Sequence, residues 1–470
     1  MKSTQINNSV PSRCEVIVIG SGFAGLSAAI ECKMKGGNVI VLEKMKAIGG
    51  NSIISDGGIA APKTPEQALL GIHDSVEMMF EDMMKSGEGL NDPAITRIVC
   101  EGAYDAYQWS KDVLGVKYMP RVDIFGGHTV PRCYTPDPFS GATIILKMKE
   151  KCLELGIKLC LGVYVESFIQ DENQNVIGVL VDTNYSLDPD HKKEMVQIKA
   201  SKGVIVASGG YAPDNAFRKN HNITISEDIQ TTNKRFTSAE VLEACMKINS
   251  GTAHLDCIQW MPWTTNDEQG YGKGGLFGDY IVSSYGILLN QKTGQRFVNE
   301  LGNRKELVEK ILECKNVIGI ADERSVQSAG WDLKDALKKG SVKAHLTLED
   351  LALTYQIPLD GLINTLQSYN QMVLQKKDNQ FNKSIEPWMT PLLNPPFYSM
   401  RINPKTHYSC GGLITDHQTH VLNIQGKIIP GLFAVGEVTG LTHGTNRLGS
   451  CSITECMVMG RIAGKKSLSL

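Results

Sequence analysis

The sequence predicts an α/β protein: a dinucleotide-binding, Rossmann-like domain interrupted by an inserted α+β capping domain. Three observations predict it. A glycine fingerprint sits between an apolar strand and a helix near the N-terminus. The chain returns twice more to apolar strands that end in glycine, and its texture changes over 258–403. The reading divides the 470 residues into 1–257 and 404–470, two parts of one nucleotide domain, with 258–403 as the cap.

The first element reads CEVIVIGSGFAG over 14–25, a β-branched run flowing into Gly20-x-Gly22-x-x-Gly25 and then a helix-like LSAAIECKMKG. Gly20 is expected to make the tight turn, Gly22 to admit a pyrophosphate, and Gly25 to let helix and strand pack closely. Phe23 and Ala24 stand where the helix N-terminus offers unpaired amides to phosphate. A second apolar run, NVIVL, ends at Glu43, about twenty residues past the glycines, where a carboxylate can accept from a ribose; Lys44 follows it.

NAD and FAD share this fingerprint, and later segments favour FAD. The stretch KMKAIGGNSIISDGGIAAP is punctuated by glycine and could run along an extended flavin, through Gly50, Asn51, Ser52, Gly57 and Gly58. SKGVIVASGG ends a strand at Ala207 and Gly209, and LFAVGE ends another at Gly436 and Glu437. Ser452 and Ile453 complete the expected FAD contacts.

Between these strands, helical patterns run near 66–86, 93–114 and 141–155, and VYVESFIQ and VIGVLVDT alternate like strands. A charged turn around 186–194 leads to a strand at 203–207. The cap begins with Trp, Gly and Pro and continues with helical patterns, among them TLEDLALTYQ and LDGLINTLQSYNQMV.

The formal net charge of −2 implies no attraction to nucleic acid or to a membrane surface. Twelve cysteines show no pairing rhythm and no metal spacing, so no metal is expected. Cys410 and Cys451 read as small packing residues. The first thirteen residues are polar, and no apolar run reaches about 18 residues. The expected location is cytoplasmic, without membrane insertion.

The C-terminal stretch PGLFAVGEVTGLTHGTNRLGS carries one fixed cation, Arg447, in a glycine-rich loop. A buried guanidinium there calls for a planar anion such as a carboxylate. Upstream, HYSCGGLITD offers His407 as a second anion contact.

Together these segments resemble the soluble fumarate reductase and succinate dehydrogenase flavoprotein family over nearly the whole chain. The shared stretches are GSGFAG, the EK…GGNS run, ASGG, GQRFVNELGNR at 294–304, HYSCGG at 407–412 and GEVTGLTHGTNRLG at 436–449. The resemblance implies that a hydride passes from reduced flavin to one carbon of a C=C bond conjugated to a carboxylate. An arginine then protonates the neighbouring carbon. The resemblance places that arginine at Arg304, and puts His407 and Arg447 where the conjugated carboxylate is held. From the residues alone, Arg304 reads instead as half of a surface ion pair with Glu300 or Glu306.

The chain departs from the family where a second carboxylate would sit. Met261 occupies the position of a histidine, Gly278 and Asp279 those of a Thr-Glu pair, and Val282 that of an arginine. Asp279 has three possible roles: proton relay, contact with a basic or hydroxylated substrate group, or a loop cap. Trp260 and Trp263 flank Met261, as an apolar wall for substrate or as core. The expected substrate is a monocarboxylic enoate of urocanate, acrylate or cinnamate type. The alternatives are a true fumarate reductase and an amino-acid oxidase of the L-aspartate type. Asn51 stands where membrane-bound relatives link FAD through histidine, so the FAD is expected to be non-covalent. Electrons are expected from a separate donor: a reduced flavin, an electron-transfer protein or a cytochrome.

Overall fold

A computed structural model describes residues 10–188, 190–221 and 225–469. The polar N-terminal stretch lies, through residue 9, outside the described residues, as does residue 189 of the charged turn.

The β-branched run Arg13–Ile19 is the centre of the main sheet. It pairs in parallel with Val39–Glu43 on one side and with Met195–Val206 on the other. Lys158–Leu161 extends the parallel sheet beyond the former, and Ile428–Ala434 beyond the latter. Such strands are covered on both faces, which is why their sequences are apolar without alternation. On one face lie the helices Phe23–Met34 and Cys451–Lys466. They approach closely because Gly460 and Gly464 face the backbone at Ala24 and Ala28, where a Cβ would collide. The parallel strands therefore end, with their glycines, in a common cleft.

Met195–Val206 is where the eight-stranded sheet branches. Its first half pairs antiparallel with Val176–Asp182, and Tyr164–Gln170 continues that branch. Its second half, Gly203 to Val206, pairs with Arg13–Ile19. The alternating strands read from sequence form this extension.

Within 258–403, Ile287–Asn290, Val317–Asp322, Phe397–Ile402 and Lys343–His345 form a four-stranded antiparallel sheet. Helices Leu348–Tyr355 and Leu359–Leu374 pack their apolar faces against it. At the two ends of this segment, Ile258–Met261 and Lys405–Ser409 pair antiparallel, which brings Met261 alongside the strand of His407. Phe277–Val282 is a π-helix, a widened turn that the sequence reading did not contain.

One helical expectation is corrected. The pattern at 66–86 splits into Pro65–Leu69 and Val76–Ser86, because Gly71 takes positive φ and Ser75 caps a new helix. Among the described residues, no helix is long and apolar enough to cross a membrane.

Candidate active site

A single continuous cleft of about 1650 Å³, open solvent at its mouth included, runs from the fingerprint to Arg447. Gly20 forms its floor with φ of +106°, where a side chain would strike the backbone of Ala207. The helix Phe23–Met34 begins at Gly22 without a side-chain cap, and Ser52 Oγ accepts only the Phe23 amide. The helix Cys451–Lys466 also starts uncapped, with Ser450 left-handed at φ +63° and Ser452 and Ile453 at the cleft wall. Two helix N-termini thus aim unpaired amides into one cleft, a setting for negative charge. Gly50 and Gly209 leave open space where a Cβ would stand. Glu43 is oriented by Ser21, whose amide and hydroxyl donate to Oε2 at 3.2 and 2.5 Å. A long cleft with these donors fits an extended dinucleotide such as FAD.

Phe23, Ala24, Lys44, Asn51, Gly58, Ala207, Gly436 and Glu437 also line the cleft. Asn51 accepts from the Lys234 amide and donates to Asn233. Burial pushes the Glu437 carboxyl up to about 7, while the amide and hydroxyl of Ser409 donate to it. That bond ties the strand of His407 to the cofactor end.

Three expected contacts do not line the cleft. Gly25 packs against Gly20, as a third glycine should. Gly57 turns at φ +85° against Pro136 and Gly141. Trp260 is corrected: strand alternation sends its side chain to the face opposite Met261, which is 1% exposed and does line the cleft. Trp263 is core, packed against Gly278.

At the other end the cleft gathers Arg304, His407, Arg447, Asp279 and Met261. Arg304 is 7% exposed and pairs through Nη2 with Asp279 Oδ2 at 3.4 Å. It makes no surface ion pair: Glu300 is taken by Arg296 and Lys383, inside a buried cluster with Asp378, and Glu306 is exposed. Arg447 is 5% exposed, donates Nη1 to the Leu448 carbonyl and lies over the Tyr408 ring. Arg304 Nη1 and Arg447 Nε are buried without a partner. Burial and then Arg304 depress the Arg447 pKa, so the pair favours a bound anion.

His407 is held far below the usual histidine range by burial, then by Arg447 and Arg304. It is a neutral imidazole whose Nδ1 lies 2.7 Å from Thr232 Oγ1. When that hydroxyl donates to Nδ1, Nε2 carries the hydrogen and can donate. Burial raises Asp279 to about 6 against the pull of Arg304, and Tyr271 donates to it at 2.9 Å.

Sequence reasoning missed Asp56, Tyr271, Thr232 and Tyr408, all on the cleft wall. Asp56, beside the DGG turn, Tyr408, inside HYSCGG, and Tyr271, a lone aromatic among glycines, carried some signal. Cys410 and Cys451 are buried with thiols pushed up to about 12 by burial, consistent with packing.

The FAD binding domain family matches residues 15–453 of this chain. An acrylate reductase flavoprotein subunit from Shewanella woodyi is 36% identical, over 96% of this chain and 90% of the relative. A urocanate reductase from Eggerthella lenta is 33% identical, over 97% of this chain and 75% of the relative. The open conformation of a flavocytochrome c3 fumarate reductase superposes with a TM-score of 0.75 at 29% identity, covering 97% of this chain and 78% of that one.

Proposed function

The chain belongs to the FAD binding domain family, and from that premise we propose that it reduces the C=C bond of a small α,β-unsaturated monocarboxylic acid. The observation that carries this reading is the pair of buried, partnerless guanidinium donors at Arg304 and Arg447. They share the cofactor cleft with His407, a neutral imidazole.

Bound FAD supplies a hydride when reduced. Arg447 and His407 hold the conjugated carboxylate, toward which the addition drives negative charge, and their fixed donors stabilise it. Arg304 delivers the proton to the other carbon, and Asp279 at 3.4 Å returns one to it. The free pKa of arginine exceeds 12, so this step relies on a developing carbanion as acceptor.

Where the far end of such a substrate would lie, the cleft presents Met261, Tyr271 and Asp279: a thioether, a phenol and an acid. A second carboxylate placed there would face the Asp279 carboxyl and would have to share Arg304, the cation already paired with it, which is costly. A single-carboxylate enoate of acrylate or urocanate type therefore fits better than fumarate, in line with the two relatives named for those acids. Electrons come from a separate donor: a reduced flavin, an electron-transfer protein or a cytochrome. The FAD is held non-covalently.

The test is the oxidation of reduced viologen by the FAD-loaded protein with acrylate, urocanate, cinnamate and fumarate. A monocarboxylic acid is expected to exceed fumarate in kcat/KM by roughly 10- to 100-fold. Fumarate as the best oxidant of the four would overturn the monocarboxylate reading.

A further inference from the structure

Reduction of a C=C bond adds one proton to carbon besides the hydride, and this proton has to reach a site where Arg304 and Asp279 are 7% and 3% exposed. A hydrogen-bonded row of side chains connects the cleft to the surface. Asp56 lines the cleft, and its Oδ2 accepts from Tyr280 Oη at 2.7 Å. Tyr280 Oη lies 3.5 Å from Thr135 Oγ1, which donates to Asp123 Oδ2 at 3.0 Å. Asp123 in turn pairs with Arg121 at 3.0 Å, and these two side chains are 18% and 22% exposed.

The row is built from distant segments. Asp56 comes from the glycine-punctuated stretch and Tyr280 from the π-helix. Thr135 and Asp123 come from the Pro/Gly-rich segment, where Asp123 bridges Cys133. Consecutive residues of the π-helix, Asp279 and Tyr280, reach Arg304 and Asp56 respectively. The Tyr280 ring is fixed edge-on by Phe125 and Phe139, with centroids 5.0 and 4.9 Å away. Two hydroxyls that are 4% and 0% exposed thus stand in line between two carboxyls. On the other side of Asp279, Val282 is fully buried against Gly319 and offers no route.

We propose that Asp123, Thr135, Tyr280 and Asp56 form the path by which protons enter the cleft from solvent to resupply Asp279 and Arg304. The path rests on the enoate-reductase reading. A proton taken from water by Asp123 passes to Thr135 as the threonine O–H turns to Tyr280. Tyr280 gives its own proton to Asp56, each O–H bond breaking as the next forms. Asp56 shares the cleft with Asp279 and passes the proton on through it. The row moves protons only, and the electrons arrive with the hydride. Burial raises the Asp123 carboxyl, and the Asp56 charge contributes to raising Asp279, so both carboxyls favour holding a proton.

The test uses full-length, FAD-loaded protein with reduced viologen and the best enoate of the panel. Tyr280→Phe keeps the ring and its packing, while Asp123→Asn keeps the shape of the outer carboxyl. Both are expected to lower kcat roughly tenfold or more with KM within about twofold. The solvent deuterium isotope effect on kcat should rise, and anaerobic photoreduction of the flavin should be unchanged. Asp123→Glu and added imidazole buffer should each restore part of the rate to the outer position. Turnover within about twofold of the unaltered protein, with the same isotope effect, would overturn the path. So would a loss in kcat, KM and thermal stability together that neither imidazole nor glutamate restores. Absence of enoate reduction by the unaltered protein would instead remove the functional reading, and the path with it.

Discussion

Asn446 donates its amide to Asn303, Nδ2 to Oδ1 at 2.9 Å, and each asparagine directly precedes an arginine of the cleft. Asn303 Oδ1 also accepts the Lys305 amide and so caps the helix Arg304–Cys314. Asn446 is fixed in turn by Ser86 and by Gln259, whose amide also donates to the Arg447 carbonyl. One side-chain bond therefore sets Arg304 and Arg447 relative to each other across segments far apart in sequence.

Removing that bond should misplace both arginines at once. Asn446→Ala is expected to lower kcat/KM on an enoate by about 10- to 100-fold while FAD content stays near one per chain. Asn303→Ala should do the same and cost about 1 kcal/mol of stability besides, through the lost cap. The two losses should be strongly non-additive in a double-mutant cycle. Steady-state kinetics and thermal melts of the three variants decide it. Additive losses would mean that the asparagines act separately.

Arg304→Gln keeps a hydrogen-bonding side chain of similar reach but offers no proton to carbon. Substrate reduction is expected to fall by at least 10²- to 10³-fold, while bound flavin is still reduced by dye. Flavin spectra before and after dye reduction, with turnover measured on the same sample, separate the two halves. Near-normal turnover would remove Arg304 from the proton step.

The nucleotide end was legible because its chemistry is local. Gly20, Gly22 and Glu43 lie within one strand–helix–strand unit, where spacing alone places them. Arg447 was legible as a cation in a glycine-rich loop, His407 as a second anion contact in HYSCGG, and Arg304 through family resemblance. Tyr271, Thr232 and Tyr280 were not, because each reaches the cleft area from a segment with no motif of its own, and Asp56, though inside the glycine-punctuated stretch, carried nothing that set it apart from the flavin contacts around it. Their meaning arises only when the cap and nucleotide segments meet. Trp260 was assigned to the site because aromatic character is visible in sequence while strand facing is not. Once Met261 faces the cleft, period-2 alternation turns Trp260 away.

Glu455 is 1% exposed in the helix Cys451–Lys466, accepts the Gly436 amide and is pushed up to about 8, chiefly by burial. Its folded pKa therefore exceeds the unfolded value of about 4.3. The stability linked to this proton is fully present below the unfolded value and is lost as pH rises toward 8. Glu455→Gln keeps the acceptor and removes the titration. The variant should match the unaltered protein near pH ~4.5 and exceed it above pH ~8, by up to about 5 kcal/mol. Melting curves of both proteins at the two pH values test the sign. An equal difference at both would mean that the carboxyl does not titrate in this range.

Asn51 is engaged on both sides of its amide, by Asn233 and by the Lys234 backbone, and an amide is no nucleophile toward a flavin. Acid precipitation is therefore expected to release all of the FAD into the supernatant. Flavin fluorescence on the denatured polypeptide band would contradict this.

Met261 is the side chain best placed to decide between one carboxylate and two. It lines the cleft with Tyr271 and Asp279, opposite the anion contacts of Arg447 and His407 in the proposed orientation of substrate. Replacing it with histidine puts a donor where a second carboxylate would lie, and Asp279 nearby would favour the protonated imidazole. A charge-assisted hydrogen bond is worth roughly 1.5–3 kcal/mol. Part of that is offset by repulsion between the new carboxylate and Asp279. Met261→His should therefore raise the fumarate-to-acrylate ratio of kcat/KM by about tenfold, chiefly through a lower KM for fumarate. The measurement is kcat/KM for both acids on both proteins under reduced viologen. A ratio that does not move would place the far end of the substrate away from Met261, and the preference for one carboxylate would need another cause.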